Sequence, residues 1–149
     1  MAIEKIKVSN FKSFAELEVD LRPLNIVIGA NAAGKSNFLE IFRFVRDVEE
    51  YGLENAVSLQ GGMAYLANLK LDSSCPTFVE VSSRVLHKGW QLLLEASTEP
   101  PGFKVLLNQR LRSLSDFSIF DLDPKLPKKA TPITGKADLE PDGSNLAIV

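Results

Sequence analysis

Cysteine, histidine and tryptophan each occur once in this 149-residue sequence, and methionine twice. The single thiol, Cys75, excludes an intramolecular disulfide and any cysteine-based metal cluster, which suits a reducing compartment. The single histidine, His87, has no partner with which to build a metal site or a base–nucleophile pair, and it reads as a surface loop residue beside Lys88. No apolar run approaches the ~20 residues that a membrane span needs. The start, Met1-Ala2-Ile3-Glu4-Lys5, lacks the form of a signal peptide. A cytoplasmic protein with no membrane partner is expected. An excess of one charge is also missing: the formal net charge is −2, so bulk electrostatics do not drive the chain onto nucleic acid. There is no internal repeat.

What is present is concentrated near the N-terminus. Gly29-Ala30-Asn31-Ala32-Ala33-Gly34-Lys35-Ser36 fits the phosphate-loop pattern G-x-x-x-x-G-K-[ST]. The apolar run Leu24–Ile28 before it reads as a buried strand. Phe38, Leu39, Ile41, Phe42, Val45 and Val48 follow it at helical spacing, so the context is strand, loop, helix. Gly29 and Gly34 are expected to free the backbone so that successive N–H groups turn inward around an anion. The helix start adds unpaired N–H groups and a positive dipole end. Lys35 then reaches the β- and γ-phosphates, and the Ser36 hydroxyl is placed for Mg²⁺. The expected ligand is ATP with Mg²⁺, cradled by residues 29–36 and Asn37. A second Gly-Lys, in Ile133-Thr134-Gly135-Lys136, fails the pattern, because Ala130 and Ala137 stand where glycine and Ser/Thr are required.

The flanking segments give a coarse organisation. Lys5–Val8 and Glu16–Leu21 alternate polar and apolar residues and read as half-buried antiparallel strands. A helix is expected from about Lys35 to Glu50, stopped by Gly52. Leu59–Met63 reads as a flexible junction, with a short apolar piece after it. Thr77–Val85 and Trp90–Ser97 read as strands joined by a hairpin loop, Leu86-His87-Lys88-Gly89. Trp90 is expected to pack on that hairpin and Cys75 to be an inert loop thiol. Phe103, Leu107, Leu111 and Leu114 predict a helix. Phe117–Leu122 reads as a strand, and the prolines of 123–141 read as an extended loop. Asp142-Gly143-Ser144-Asn145 has capping chemistry before Leu146–Val149, so a helix is expected to begin there, as at the front of a longer protein.

Other chemistry is sparse. Hydrolysis by such an enzyme needs an apolar strand ending in a Mg²⁺-binding aspartate and a group that orients the attacking water. Leu92-Leu93-Leu94-Glu95 lacks the aspartate. Ser118-Ile119-Phe120-Asp121 offers only Asp121, and Leu122 follows where an acid would help. No Leu-Ser-Gly-Gly-like segment occurs. Six basic residues between Phe103 and Lys129 outnumber three acidic ones, a weak signal for a nucleic-acid-facing patch and equally a solvated face.

The segment Ile6–Phe14, with its Asn-Phe-Lys-Ser-Phe core, followed by Leu24–Asn37, resembles the start of the RecF/SMC-type ATPases. These are ABC-type heads that include the AAA ATPases of bacteria and archaea and the overcoming-lysogenization-defect nucleases. Asn31 and Asn37 are features of that group. Leu139–Ala147 is also similar to a segment that these ATPases carry. The resemblance implies an α/β P-loop NTPase lobe with an antiparallel β-subdomain, present here in its front half. It implies Lys12 near the nucleotide phosphates, and it raises Gln109 as a Mg²⁺-sensing glutamine, although a helix-face glutamine is ordinarily solvent-facing. It also implies ATP hydrolysis in a head dimer, each signature segment closing the other head's loop.

Three parts are expected within 1–149: strands, phosphate loop and first helix in 1–50, β-subdomain and helix in 51–122, and a proline-rich loop with the start of a helix in 123–149. Signature, Mg²⁺ aspartate and catalytic glutamate have no counterpart, so catalytic residues are unknown. The expected partner is a second copy or a missing C-terminal half. The alternative reading is a non-catalytic nucleotide- or DNA-binding module. A small P-loop kinase is the third reading, disfavoured by the antiparallel hairpins.

Overall fold

The computed structural model describes residues 3–83 and 88–109, all within the compact unit Met1–Ser115. Alternation produces the first two strands. In β1 (Lys5–Phe11) Ile6 and Val8 are buried while Lys7 is exposed. β2 (Phe14–Asp20) returns antiparallel, with Val19 opposite Ile6 and Leu17 opposite Val8. Three further strands complete the sheet: β3 (Thr77–Ser83), β4 (Lys88–Ala96) and β5 (Phe103–Gln109). The order is β2-β1-β3-β4-β5, and every pairing is antiparallel. Because β1 lies between β2 and β3, residues on either side of position 50 share one sheet.

Register builds the core. Ile6 faces Val81, Val8 faces Val79, and these face Trp90 and Leu92, so one side of the sheet is continuously apolar. The helix α1 (Lys35–Tyr51) presents Ile41, Phe44, Val45 and Val48, all buried, at i, i+3, i+4 and i+7 spacing. Phe11 and Phe44 meet with ring centroids 5.9 Å apart. Each large side chain buried in this way contributes roughly 1.5–3 kcal/mol. Trp90, expected to pack on the hairpin, is fully buried in β4, and its Nε1–H donates to Glu49 Oε1 at 3.0 Å.

Gly52 ends α1 with φ of 84° and its N–H bonded to Val48 O. The expected junction at Leu59–Met63 is the Gly61-Gly62 turn between two short helices, α2 (Leu53–Leu59) and α3 (Met63–Leu66).

Three expectations are corrected. Leu24–Ile28 is not a strand and is not buried: Leu24 is 78%, Ile26 78% and Ile28 87% exposed. Pro23 has no N–H to give a ladder, and Asn25 Oδ1 accepts from Arg22 N–H at 2.9 Å, closing a local turn. Val27 and Ile28 then line a cavity with Leu17 and Val19 of β2, and the run does not extend the sheet. Phe103 does not open a helix; it opens β5, which pairs with β4 from Ala96 opposite Phe103 to Gln91 opposite Gln109. Phe103-Lys104-Val105 suits either period, and the turn at Gly102 (φ 91°) delivers it to a free strand edge. Lys88 and Gly89 belong to β4 rather than to the hairpin loop. His87, Leu111, Leu114, Phe117–Leu122 with Asp121, Ile133–Lys136 and Asp142–Val149 lie outside the described residues.

Candidate functional site

The glycine-bounded loop runs directly into α1. Gly34 is the N-cap, at φ 93°, in the left-handed region that disfavours a Cβ. Space is tight as well: a Cβ there would lie 3.1 Å from Ser13 Oγ, which would have to give by a few tenths of an ångström, and 3.4 Å from the Phe14 ring. The second left-handed residue is Ala32 (φ 63°), whereas Gly29 has no positive φ, which corrects the expectation that both motif glycines serve the same purpose. The loop is closed by Ala33 N–H to Ala30 O at 3.3 Å, and the helix ladder starts with Phe38 N–H to Gly34 O at 2.9 Å.

The electrostatics favour an anion. No side chain caps the N-terminus of α1, and no acidic residue occupies its first turn, so its N–H groups and dipole are left uncompensated. Lys35 folds back over the loop, its Nζ donating to Gly29 O at 2.8 Å and Ala30 O at 2.6 Å. Among the described residues no carboxylate pairs with it. Gly29, Ala30, Asn31, Ala32 and Ala33 are exposed, while Gly34, Lys35, Asn37 and Phe38 are partly covered. Ser36 is exposed in the first turn of α1, where a hydroxyl can serve a cation beside bound phosphate.

Lys12 is brought to the same end of the helix. It sits in the turn between β1 and β2 with φ of 48°, and its Nζ lies 3.6 Å from Glu40 Oε2, one turn beyond Ser36 on α1. Glu40 also accepts from Arg43 at 2.6 Å. Gln109 is not on a helix; it ends β5, opposite Gln91 of β4.

Sequence reasoning missed Asn10. Its amide holds the loop before β3 through Cys75 O (2.6 Å) and Asn68 N–H (2.9 Å). The only signal was its place in the Asn-Phe-Lys core. Beneath the loop lies a cavity of about 230 Å³, lined by Phe14, Leu17, Val19, Val27, Ile28 and Phe38 and reaching Gly34 and Lys35. That lining is too apolar to hold phosphate.

Residues 1–82 match the AAA ATPase domain family. The chain belongs to that family. As an AAA ATPase domain it is part of a group of nucleotide-binding ATPases, and its mixed α/β structure with a five-stranded antiparallel sheet fits the N-terminal lobe of a P-loop NTPase. It is 44% identical over 46 residues to the DNA replication and repair protein RecF of Lactococcus lactis subsp. lactis (strain IL1403), covering 30% of this chain and 13% of that protein. It is 46% identical over 46 residues to RecF of Streptococcus agalactiae serotype III, covering 30% and 12%. It is also 37% identical over 49 residues to the Endonuclease GajA of Bacillus cereus (strain VD045), covering 33% and 8%. The matched part of the chain thus spans a small fraction of the length of these relatives. No helix among the described residues is long and apolar enough to cross a membrane.

Proposed function

We propose that this chain binds MgATP through residues 29–37, as one lobe of a RecF/SMC-like ATPase that hydrolyses ATP in a head dimer. One observation carries the reading: the loop delivers an uncapped, acid-free helix N-terminus and the Lys35 ammonium to one exposed place. Gly34, Lys35, Ser36 and Asn37 would meet the phosphates at the helix start, with Gly29, Ala30, Asn31, Ala32 and Ala33 supplying the loop backbone. Ser36 would hold Mg²⁺, which neutralises phosphate charge when bound. Lys12 would add a second positive charge from the neighbouring turn. Lys35, which now donates to two loop carbonyls, would turn to phosphate oxygens, a contact in which both partners are charged.

The test is calorimetry of the full chain with MgATP. Lys35→Ala is expected to weaken binding at least tenfold, about 1.4 kcal/mol. Equal affinity of wild type and variant ends the proposal. A second reading, a nucleotide- or DNA-binding module without turnover, is favoured by one feature: signature, Mg²⁺ aspartate and catalytic glutamate have no counterpart in the sequence. Lys35-dependent hydrolysis once the complementary half of a head is supplied is expected of the first reading, and its absence there favours the second. Partners under the first reading are a second head or the complementary half of a head, in the cytoplasm.

A further inference from the structure

Asn10 is 3% exposed and holds a left-handed backbone, φ 51°. Its side-chain amide and its backbone carbonyl are both engaged. Nδ2 donates to Cys75 O at 2.6 Å, Oδ1 accepts from Asn68 N–H at 2.9 Å, and its carbonyl accepts from the Thr77 hydroxyl at 3.0 Å. Two residues on, Lys12 is also left-handed, and its N–H donates to Leu66 O at 2.8 Å. One buried amide therefore ties the β1–β2 turn to the loop that follows α3 and to the start of β3. The other side of that turn meets the loop: Ser13 and Phe14 close on Gly34, and Lys12 reaches Glu40.

The residue types carry the argument. Glycine adopts the Lys12 conformation at no steric cost. A lysine there adds charge, and its strained backbone persists only where the surroundings over-determine it. Asn10 and the Leu66 carbonyl supply that determination. We propose that Asn10 is a positioning residue of the nucleotide site: its hydrogen bonds fix the turn that presents Lys12 to the phosphates. The inference rests on the MgATP-binding reading above, and it assigns Asn10 an effect that passes through Lys12.

The test is a double-mutant cycle on the full chain, with MgATP affinity measured by calorimetry and folding by circular dichroism. Asn10→Ala is expected to weaken binding about fivefold, the worth of one ordinary hydrogen bond. On a Lys12→Ala background it should change nothing further, because the group it positions is gone. Thr77→Val serves as a second route. It removes the hydroxyl that holds the Asn10 carbonyl while placing a strand-favouring residue in β3, so it remains informative if Asn10→Ala does not fold. It too should weaken binding in the wild-type background and be silent without Lys12. Unchanged affinity in the folded variants, or effects that add fully to that of Lys12→Ala, overturns the proposal while leaving the nucleotide site standing. Binding that is absent in wild type, or insensitive to Lys35→Ala, overturns the site itself and this inference with it.

Discussion

At Gly34 two constraints coincide, a left-handed φ and a wall formed by Ser13 and Phe14. Gly34→Ala is expected to destabilise the fold by about 1–2 kcal/mol, the cost of a left-handed conformation for an L-residue, and to lower the thermal midpoint measurably. Gly29→Ala should not, because Gly29 has no positive φ and its Cβ would make an ordinary 3.4 Å contact with Ala33. Equal thermal midpoints for Gly34→Ala and wild type would show that the loop readjusts freely. The phosphate-loop motif announces both glycines alike; their difference depends on the Ser13–Phe14 turn, which lies far from the motif in sequence terms yet packs against it. The place of Lys35 and Ser36 at the start of α1 was legible from spacing alone. The anchoring of Lys12 by Asn10 was not, because its partners Leu66, Asn68 and Cys75 are more than fifty residues away.

Elements are joined by a few polar ties through an apolar layer. The Trp90–Glu49 bond fixes the C-terminal turn of α1 to the first part of β4. Glu49→Ala leaves the buried indole N–H without its partner, at a cost of about 1–3 kcal/mol. Urea unfolding followed by the fluorescence of Trp90, the chain's one tryptophan, measures the loss; an unshifted midpoint would mean that solvent replaces the carboxylate. Across β1 and β2, the hydrogen bond from Lys5 and then its charge hold the Glu18 carboxyl below the usual carboxylate range, and the same pairing raises Lys5. The sign is therefore opposite for the two groups. The contribution of the pair is in place at neutral pH, is lost in acid as pH falls through the lowered Glu18 value, and is lost in base as pH rises through the raised Lys5 value. Both side chains are about half exposed to solvent, so the effect on stability is small. Nuclear magnetic resonance titration of Lys5→Met should show Glu18 moving up toward its ordinary value, with Lys7 at 3.7 Å retaining part of the shift. No movement would mean that the pair does not persist in solution.

At the scale of the molecule, the exposed run Leu24, Ile26, Val27 and Ile28 stands out beside the apolar cavity over Leu17 and Val19. Contiguous apolar surface of this kind drives association. The isolated chain is expected to self-associate at micromolar concentration, read by sedimentation velocity. A cleanly monomeric species with cooperative thermal unfolding would show that this surface is tolerated in water. Turnover by the chain alone should fall far below the enzyme median of about 10 s⁻¹, since its sequence offers no signature segment and no paired acids for Mg²⁺ and water. A Lys35-dependent rate near that median would contradict this.

Local physics decided much of the protein. The period-two alternation of Lys5–Val8 and Glu16–Asp20, the 3.6-residue stripe from Ile41 to Val48, the glycine stop at Gly52 and the spacing of Gly29, Gly34, Lys35 and Ser36 each act within a few residues, so the sequence alone determined them. Three outcomes needed the tertiary structure. Phe103–Gln109 became a strand because the edge of β4 was open to it. Leu24–Ile28 stayed out of the sheet because Pro23 and the Asn25 turn take it to the cavity lined by Leu17 and Val19 of β2. Lys12 lies beside Glu40 of α1, in a turn bonded to Leu66, Asn68 and Cys75. The first and third outcomes rest on hydrogen bonds between positions that folding brings together; in the second the bond from Arg22 to Asn25 is local, and only the surface that the run meets is tertiary.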